Sequence, residues 1–128
     1  MDVALVLDTN VVLYLLRGDL TQPLDPADYY VSVITEMELL SFPGLDRAGE
    51  AAIEEFLGAV TVVDLTPEIR RAAIALRARH GLKRPDAIIA ATTQVLQAKL
   101  LTNDEALLRI EGLPAESLAL RANRDGGK

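Results

Sequence analysis

The run Val3-Ala4-Leu5-Val6-Leu7, stopped at once by Asp8-Thr9-Asn10, limits the fold more than any other feature of the chain. A continuous apolar run without alternation belongs to a strand covered on both faces, as in the middle of a parallel sheet. The three residues that stop it are cap-type, and 11–17 then reads as a helix ended by Gly18. Residues 11–16 are apolar enough to predict that part of that helix is an interface. The alternation continues. A loop over 19–28, with Pro23 and Pro26, leads to a strand over 29–33 and a short helix over 34–40. Pro43-Gly44 ends that helix, and another spans 46–57. A strand over 60–65 follows. Thr66 then caps a helix with Pro67 at its first position, where a missing N–H costs nothing, and Gly81 ends it. A further helix runs from near Pro85 to about Ala98. It is followed by a strand over 100–102, a helical turn over 104–109 and a last strand over 117–120. Strands alternating with helices predict an α/β fold with a parallel sheet and right-handed crossovers.

The residues that are missing narrow the chemistry. The 128-residue chain has no cysteine and one histidine, His80. Disulfides and thiolate metal sites are excluded, a histidine-rich zinc site cannot be built, and a Ser-His-Asp triad would need that one histidine. His80 itself reads as a helix-end cation beside Gly81, where the dipole favours it. Any metal must be held mainly by oxygen, which points to a hard cation such as Mg²⁺ or Mn²⁺. No apolar run approaches the roughly 20 residues of a membrane span. Met1-Asp2-Val3 lacks the basic start of a signal peptide, and the lack of cysteine suits a reducing cytoplasm. One domain over 1–122 with a flexible tail over 123–128 is the expected organisation.

Charge is unevenly spread. The net charge of −6 argues against a non-specific nucleic-acid coat. Yet Arg70, Arg71, Arg77, Arg79, Lys83 and Arg84 lie in one stretch with no acid between Glu68 and Asp86. That stretch reads either as a solvated helix face or as a landing strip for phosphates, with Arg79, Lys83 and Arg84 as candidate RNA contacts. Tyr14, Tyr29 and Tyr30 read as core or interface residues, with base stacking the minor alternative.

In parallel α/β sheets ligands bind beyond the carboxyl ends of the strands, which gives weight to acids just after strands. Four qualify: Asp8, Glu36, Asp86 and Asp104. Each alone is a plausible helix cap or first-turn acid. Glu38 competes with Glu36; the two lie about 200° apart on a helix and cannot face one site. Thr35 and Glu38 match a capping box, so Glu36, nearer the strand end, is the expected site residue. Carboxylates crowded at one rim repel, and a divalent cation removes the conflict. The chemistry this serves is in-line attack on a phosphodiester, which needs no histidine or cysteine.

The ordered segments Leu-Asp-Thr-Asn (7–10), Ser-Val-Ile-Thr-Glu-Met-Glu-Leu (32–39), Pro-Asp-Ala-Ile-Ile-Ala-Ala-Thr (85–92) and Leu-Leu-Thr-Asn-Asp (100–104) resemble PIN-domain proteins, and within them the VapC-like toxins of toxin–antitoxin pairs. The resemblance implies a three-layer fold with a five-stranded parallel sheet in the order 3-2-1-4-5 and helices on both faces. Asp8 and Asp104 would then sit at the switch point between the first and fourth strands. It implies Mg²⁺ or Mn²⁺ held by Asp8, Glu36, Asp86 and Asp104, with Thr9, Asn10 and Thr102 as supporting polar residues. The implied activity is cleavage of single-stranded RNA, and the implied partners are a second copy of the chain and a small antitoxin. One departure stands out: where the family often has a further acid and an aromatic after Asp104, this chain has Ala106 and Leu107.

Two other readings compete. A strand followed by Asp8-Thr9 faintly resembles haloacid-dehalogenase-like phosphotransferases with an aspartyl nucleophile, but Asn10 stands where their second Asp supplies the general acid. A non-catalytic interaction protein keeping the fold is the other.

Overall fold

The computed structural model describes residues 3–122. The tail expected over 123–128 lies outside them. Strand β1 (Ala4–Leu7) is the centre of the sheet. It pairs in parallel with β2 (Asp28–Ser32) on one side and β4 (Lys99–Leu101) on the other. Strands β3 (Thr61–Val63) and β5 (Ala115–Glu116) form the edges, also parallel, completing the order β3-β2-β1-β4-β5. This is the order the family resemblance implied, with the direction of winding reversing between β1 and β4.

Helices cover both faces, which is why β1 is apolar throughout. Alternate residues of the central strands point to opposite layers. Val6 and Leu100 join a core with α4 (Pro67–His80), α5 (Arg84–Leu96) and α6 (Glu105–Leu108), through residues such as Ile69, Leu76, Ile89 and Leu107. Leu7, Val31 and Leu101 join the other core, with α1 (Thr9–Arg17), α2 (Val33–Leu40) and α3 (Arg47–Gly58), through Val11, Val12, Leu39 and Ile53. In the apolar α1, Val11 and Val12 are fully buried in the core, Leu13, Tyr14 and Leu15 are partly buried, and Leu16 is exposed.

Three expectations are corrected. The last strand is at Ala115–Glu116, not 117–120, because β4 dictates its partner: Leu100 N–H donates to Pro114 and Thr102 N–H to Glu116. Residues beyond it form a separate antiparallel contact, with Leu20 opposite Leu120 and Thr21 N–H donating to Ala119. Helix α5 stops at Leu96, where Gln97 takes the left-handed conformation (φ 54°) and Ala98 N–H reaches back to Thr93. Thr35 and Glu38 form no capping box; Ser32 caps α2, accepting from Ile34 N–H at 3.1 Å.

Candidate active site

At the carboxyl ends of β1 and β4 a cavity of about 250 Å³ is lined by Asp8, Glu38, Asp86 and Asp104. Asp8 leaves β1 with its N–H still donating to Leu101, so it sits where the strand ends. It is the N-cap of α1 by backbone, but its side chain makes no cap bond. Oδ2 instead accepts from the buried Thr102 hydroxyl at 2.7 Å. Thr102 in turn accepts from Asp104 N–H at 3.0 Å, so one hydroxyl at the end of β4 ties the Asp8 carboxylate to the Asp104 backbone. Asp104 Oδ1 caps α6 through Ala106 N–H at 2.8 Å. Asn103 faces away and pairs twice with the backbone of Leu118. Asp86 is in the first turn of α5, half-buried, on a helix whose Ala87, Ile89, Ala90 and Ala91 are core residues.

Glu38 is held differently. Thr9, the first residue of α1, donates from Oγ1 to Glu38 Oε1 at 2.7 Å, and its hydroxyl is also 2.8 Å from Thr35 Oγ1.

The electrostatics follow from burial and crowding. Asp8 is 5% exposed. Desolvation pushes its carboxyl above the usual value, the Thr102 hydrogen bond and a backbone N–H oppose this, and the charges of Asp104 and Glu38 add to the rise. Asp86 is raised for the same reason first, then by Asp104 and Asp8, against a lowering by Lys83 and a further rise from Glu38. No basic side chain lines the cavity. The donors are carboxylate and hydroxyl oxygens, the set that suits a hard divalent cation. Among the described residues no group of three acids is packed closely enough to hold an ion alone. Mg²⁺ binds without such a cage, through one or two carboxylates and retained waters.

Of the four acids expected from sequence, Asp8, Asp86 and Asp104 are brought together around the cavity, and Glu38 rather than Glu36 stands beside them. Glu36 does not line the cavity and is not among the charges acting on Asp8 or Asp86; Glu38 does both. Buried Thr35 and Leu39 form the stripe of α2 that packs inward, and Glu36 and Glu38 lie on opposite flanks of it. Of the supporting residues, Thr102 holds Asp8, Thr9 holds Glu38, and Asn10 lines the cavity. Arg77, exposed on α4, donates from Nε to the Leu82 carbonyl at 3.1 Å. Arg79, Lys83 and Arg84 are exposed, and among the described residues none has an acidic partner within ion-pair distance. None of the tyrosines lines the cavity; Phe42, which the sequence did not single out, does, at 47% exposure.

A larger groove of about 620 Å³ lies elsewhere, against Leu5, Leu24, Tyr29 and Leu118. Its Lys99 and Glu116 satisfy one another at 2.8 Å, which leaves Asp25 as its one remaining carboxylate, so it lacks the cluster of acids that marks the acidic cavity.

Comparison with known proteins agrees with the fold. The sequence pattern of the PIN domain matches residues 5–113. Among solved structures, VapBC2 from Rickettsia felis bound to a DNA fragment from its promoter superposes with a TM-score of 0.76 at 19% identity, over 91% of this chain and 99% of that chain. DNA-bound VapBC from Salmonella typhimurium gives 0.75 at 22% identity, over 90% and 98%. A toxin–antitoxin complex from Klebsiella pneumoniae gives 0.69 at 26% identity, over 84% and 93%. No curated protein matches the chain in sequence. With the family pattern running from β1 almost to β5, the chain belongs to the PIN-domain family.

Proposed function

We propose that the chain is a Mg²⁺- or Mn²⁺-dependent endoribonuclease that cuts single-stranded RNA as the VapC-like toxin of a toxin–antitoxin pair. The observation that carries this reading is the cavity itself: Asp8, Glu38, Asp86 and Asp104 around one space at the sheet's switch point, with no cation among its lining residues. Asp8, Asp86 and Asp104 would hold the cation, with Glu38 completing the set in the place first given to Glu36. The bound ion would lower the pKa of a water, polarise the phosphoryl oxygens and stabilise the leaving oxygen.

The chain's own residues do the rest. Thr102 ties the Asp8 carboxylate to the Asp104 backbone, and Thr9 fixes Glu38, so the Asp8 and Glu38 carboxylates need little reorganisation on binding. Arg79, Lys83 and Arg84 take the phosphates of the approaching strand. Lys83 is the nearest of these to the chemistry, since its charge acts on Asp86. Phe42 offers a flat apolar wall on which a base beside the scissile phosphate would stack.

The likeness to the Klebsiella pneumoniae toxin–antitoxin complex supports an antitoxin as partner; its small size, its blocking of the cavity and the pairing of the chain with a second copy are what the family resemblance implies. The working unit is one PIN-like domain over 1–122, acting in the cytoplasm, where its substrate is. Among the described residues no helix is long and apolar enough to cross a membrane.

The test is cleavage of single-stranded RNA with Mg²⁺, with EDTA, and by Asp8→Asn, Glu38→Gln and Glu36→Gln. EDTA and D8N should abolish cleavage. E38Q should cost at least the ~10–100-fold that follows loss of a group behind a metal ligand. E36Q should cut at the wild-type rate. Cleavage that survives both EDTA and D8N would sink the proposal.

A further inference from the structure

Thr35 and Glu38 are three residues apart on α2 and therefore share a side of the helix. Both reach Thr9 at the start of α1. A threonine hydroxyl has one proton to donate. Thr9 uses its proton on Glu38 Oε1 at 2.7 Å, so the 2.8 Å bond between Thr9 and Thr35 must run from the Thr35 O–H to the Thr9 oxygen. The direction is then fixed along the whole chain: Thr35 donates to Thr9, and Thr9 donates to the carboxylate.

Thr35 is 0% exposed, and Thr9 is the only hydrogen-bond partner of its hydroxyl among the described residues. Packing does not require an oxygen there, because valine has the same shape. A buried hydroxyl without a partner is costly, so its presence asks for a use. Donors in series polarise one another, which strengthens the hold of Thr9 on the carboxylate. The Thr35 proton also occupies a lone pair of Thr9, which keeps the Thr9 hydroxyl turned toward Glu38.

We propose that Thr35 is a positioning residue that acts through Thr9 to fix the Glu38 carboxylate, leaving Oε2 for the cavity. This rests on the reading of Glu38 as a member of the cation-holding set.

The experiment compares the full chain with Thr35→Val, Thr35→Ser, Thr9→Val and the T9V/T35V double variant. Mn²⁺ binding is followed by calorimetry, RNA cleavage by kcat and KM separately, and folding by thermal melts. T35V should bind Mn²⁺ ~10-fold more weakly and lose ~10-fold in kcat, the lower end of what groups behind metal ligands contribute, with KM for RNA nearly unchanged. T35S, which keeps the hydroxyl, should stay within about twofold of the wild type. The double variant should be no worse than T9V, because both substitutions cut one chain of bonds. If T35V does not fold, Thr35→Ala read against T35S makes the same comparison. Wild-type Mn²⁺ affinity and kcat in T35V would overturn the proposal, as would a T35S as impaired as T35V, or losses that add in the double variant. A wild type that neither binds Mn²⁺ nor cuts RNA would instead overturn the nuclease reading.

Discussion

Asp8 shows at the scale of one residue what the site costs the fold. A carboxyl whose folded pKa is raised above its ordinary 3.8 holds its proton more tightly in the folded chain than in the unfolded one. Its contribution to stability is full below that ordinary value and is lost as pH rises through the folded pKa. Asp86 is raised in the same direction, so the metal-free protein should weaken as pH climbs from the acid range toward neutral. Melting in EDTA should therefore give a Tm that falls over that interval. Asp8→Asn should flatten the fall and raise Tm at pH 7 by several degrees, ~3–6 °C being what about 1 kcal/mol gives in a domain of this size. Saturating Mn²⁺ should raise the wild-type Tm and leave D8N unmoved. A wild-type Tm that instead rises with pH in EDTA would contradict the placement of Asp8 in a desolvated, like-charged cavity. Three of these acids were legible from sequence because each directly follows a strand or opens a helix. Glu38 was not, because spacing gives the angle between Glu36 and Glu38 but not which flank of α2 meets α1. That is decided by the burial of Thr35 and Leu39 and by Thr9 on the neighbouring helix.

Among the elements, the helix starts divide in two. The side chains of Ser32, Asp46, Thr66 and Asp104 each accept a backbone N–H at the start of their helix. The N-caps of α1 and α5, Asp8 and Lys83, make no such bond, and both helices begin at the acidic cavity. A cap side chain is worth ~0.5–2 kcal/mol, so α1 and α5 forgo that stability, whereas Asp104 both lines the cavity and caps α6. Lys83→Ser should return such a cap to α5: thermal stability should rise by ~1 kcal/mol while binding of single-stranded RNA weakens. A gain in stability with RNA binding intact would remove Lys83 from the substrate path. The same contrast explains which elements could be read in advance. Thr66-Pro67 and Gly81 mark the ends of α4 by local chemistry alone, and the structure puts them there. Gln97 carries no such signal, since its left-handed turn is imposed by the backbone bond from Ala98 to Thr93. Strand β5, two residues long and following Pro114, has no pattern of its own; it is a strand because β4 offers it an edge.

For the whole molecule the proposed RNA substrate raises the question of how a chain of net charge −6 approaches a polyanion. Its field repels RNA at long range, so attraction must come from a few local contacts rather than a basic coat. The fold leaves Lys83 and Arg84 exposed at the turn from α4 into α5, next in sequence to Pro85 and Asp86 of the acidic cavity, and Arg79 exposed in the last turn of α4. Each neutralised phosphate on a single strand lowers the slope of log K against log salt by about 0.7, so three contacts give a slope of roughly −2. Binding should be measured with D8N, which keeps the surface and should not cut, at constant Mg²⁺ and varied KCl. Lys83→Ala and Arg84→Ala in that background should each make the slope shallower by about 0.7, with little dependence on sequence, as expected of phosphate contacts. Substituting Arg47, on the opposite layer at the start of α3, should leave the slope unchanged. A slope near zero in D8N, or equal slopes with and without Lys83, would mean that the strand reaches the carboxylates by another route. A slope much steeper than −2 would mean that the contacts extend along α4 to Arg70 and Arg71, making the whole exposed side of that helix a track for the RNA.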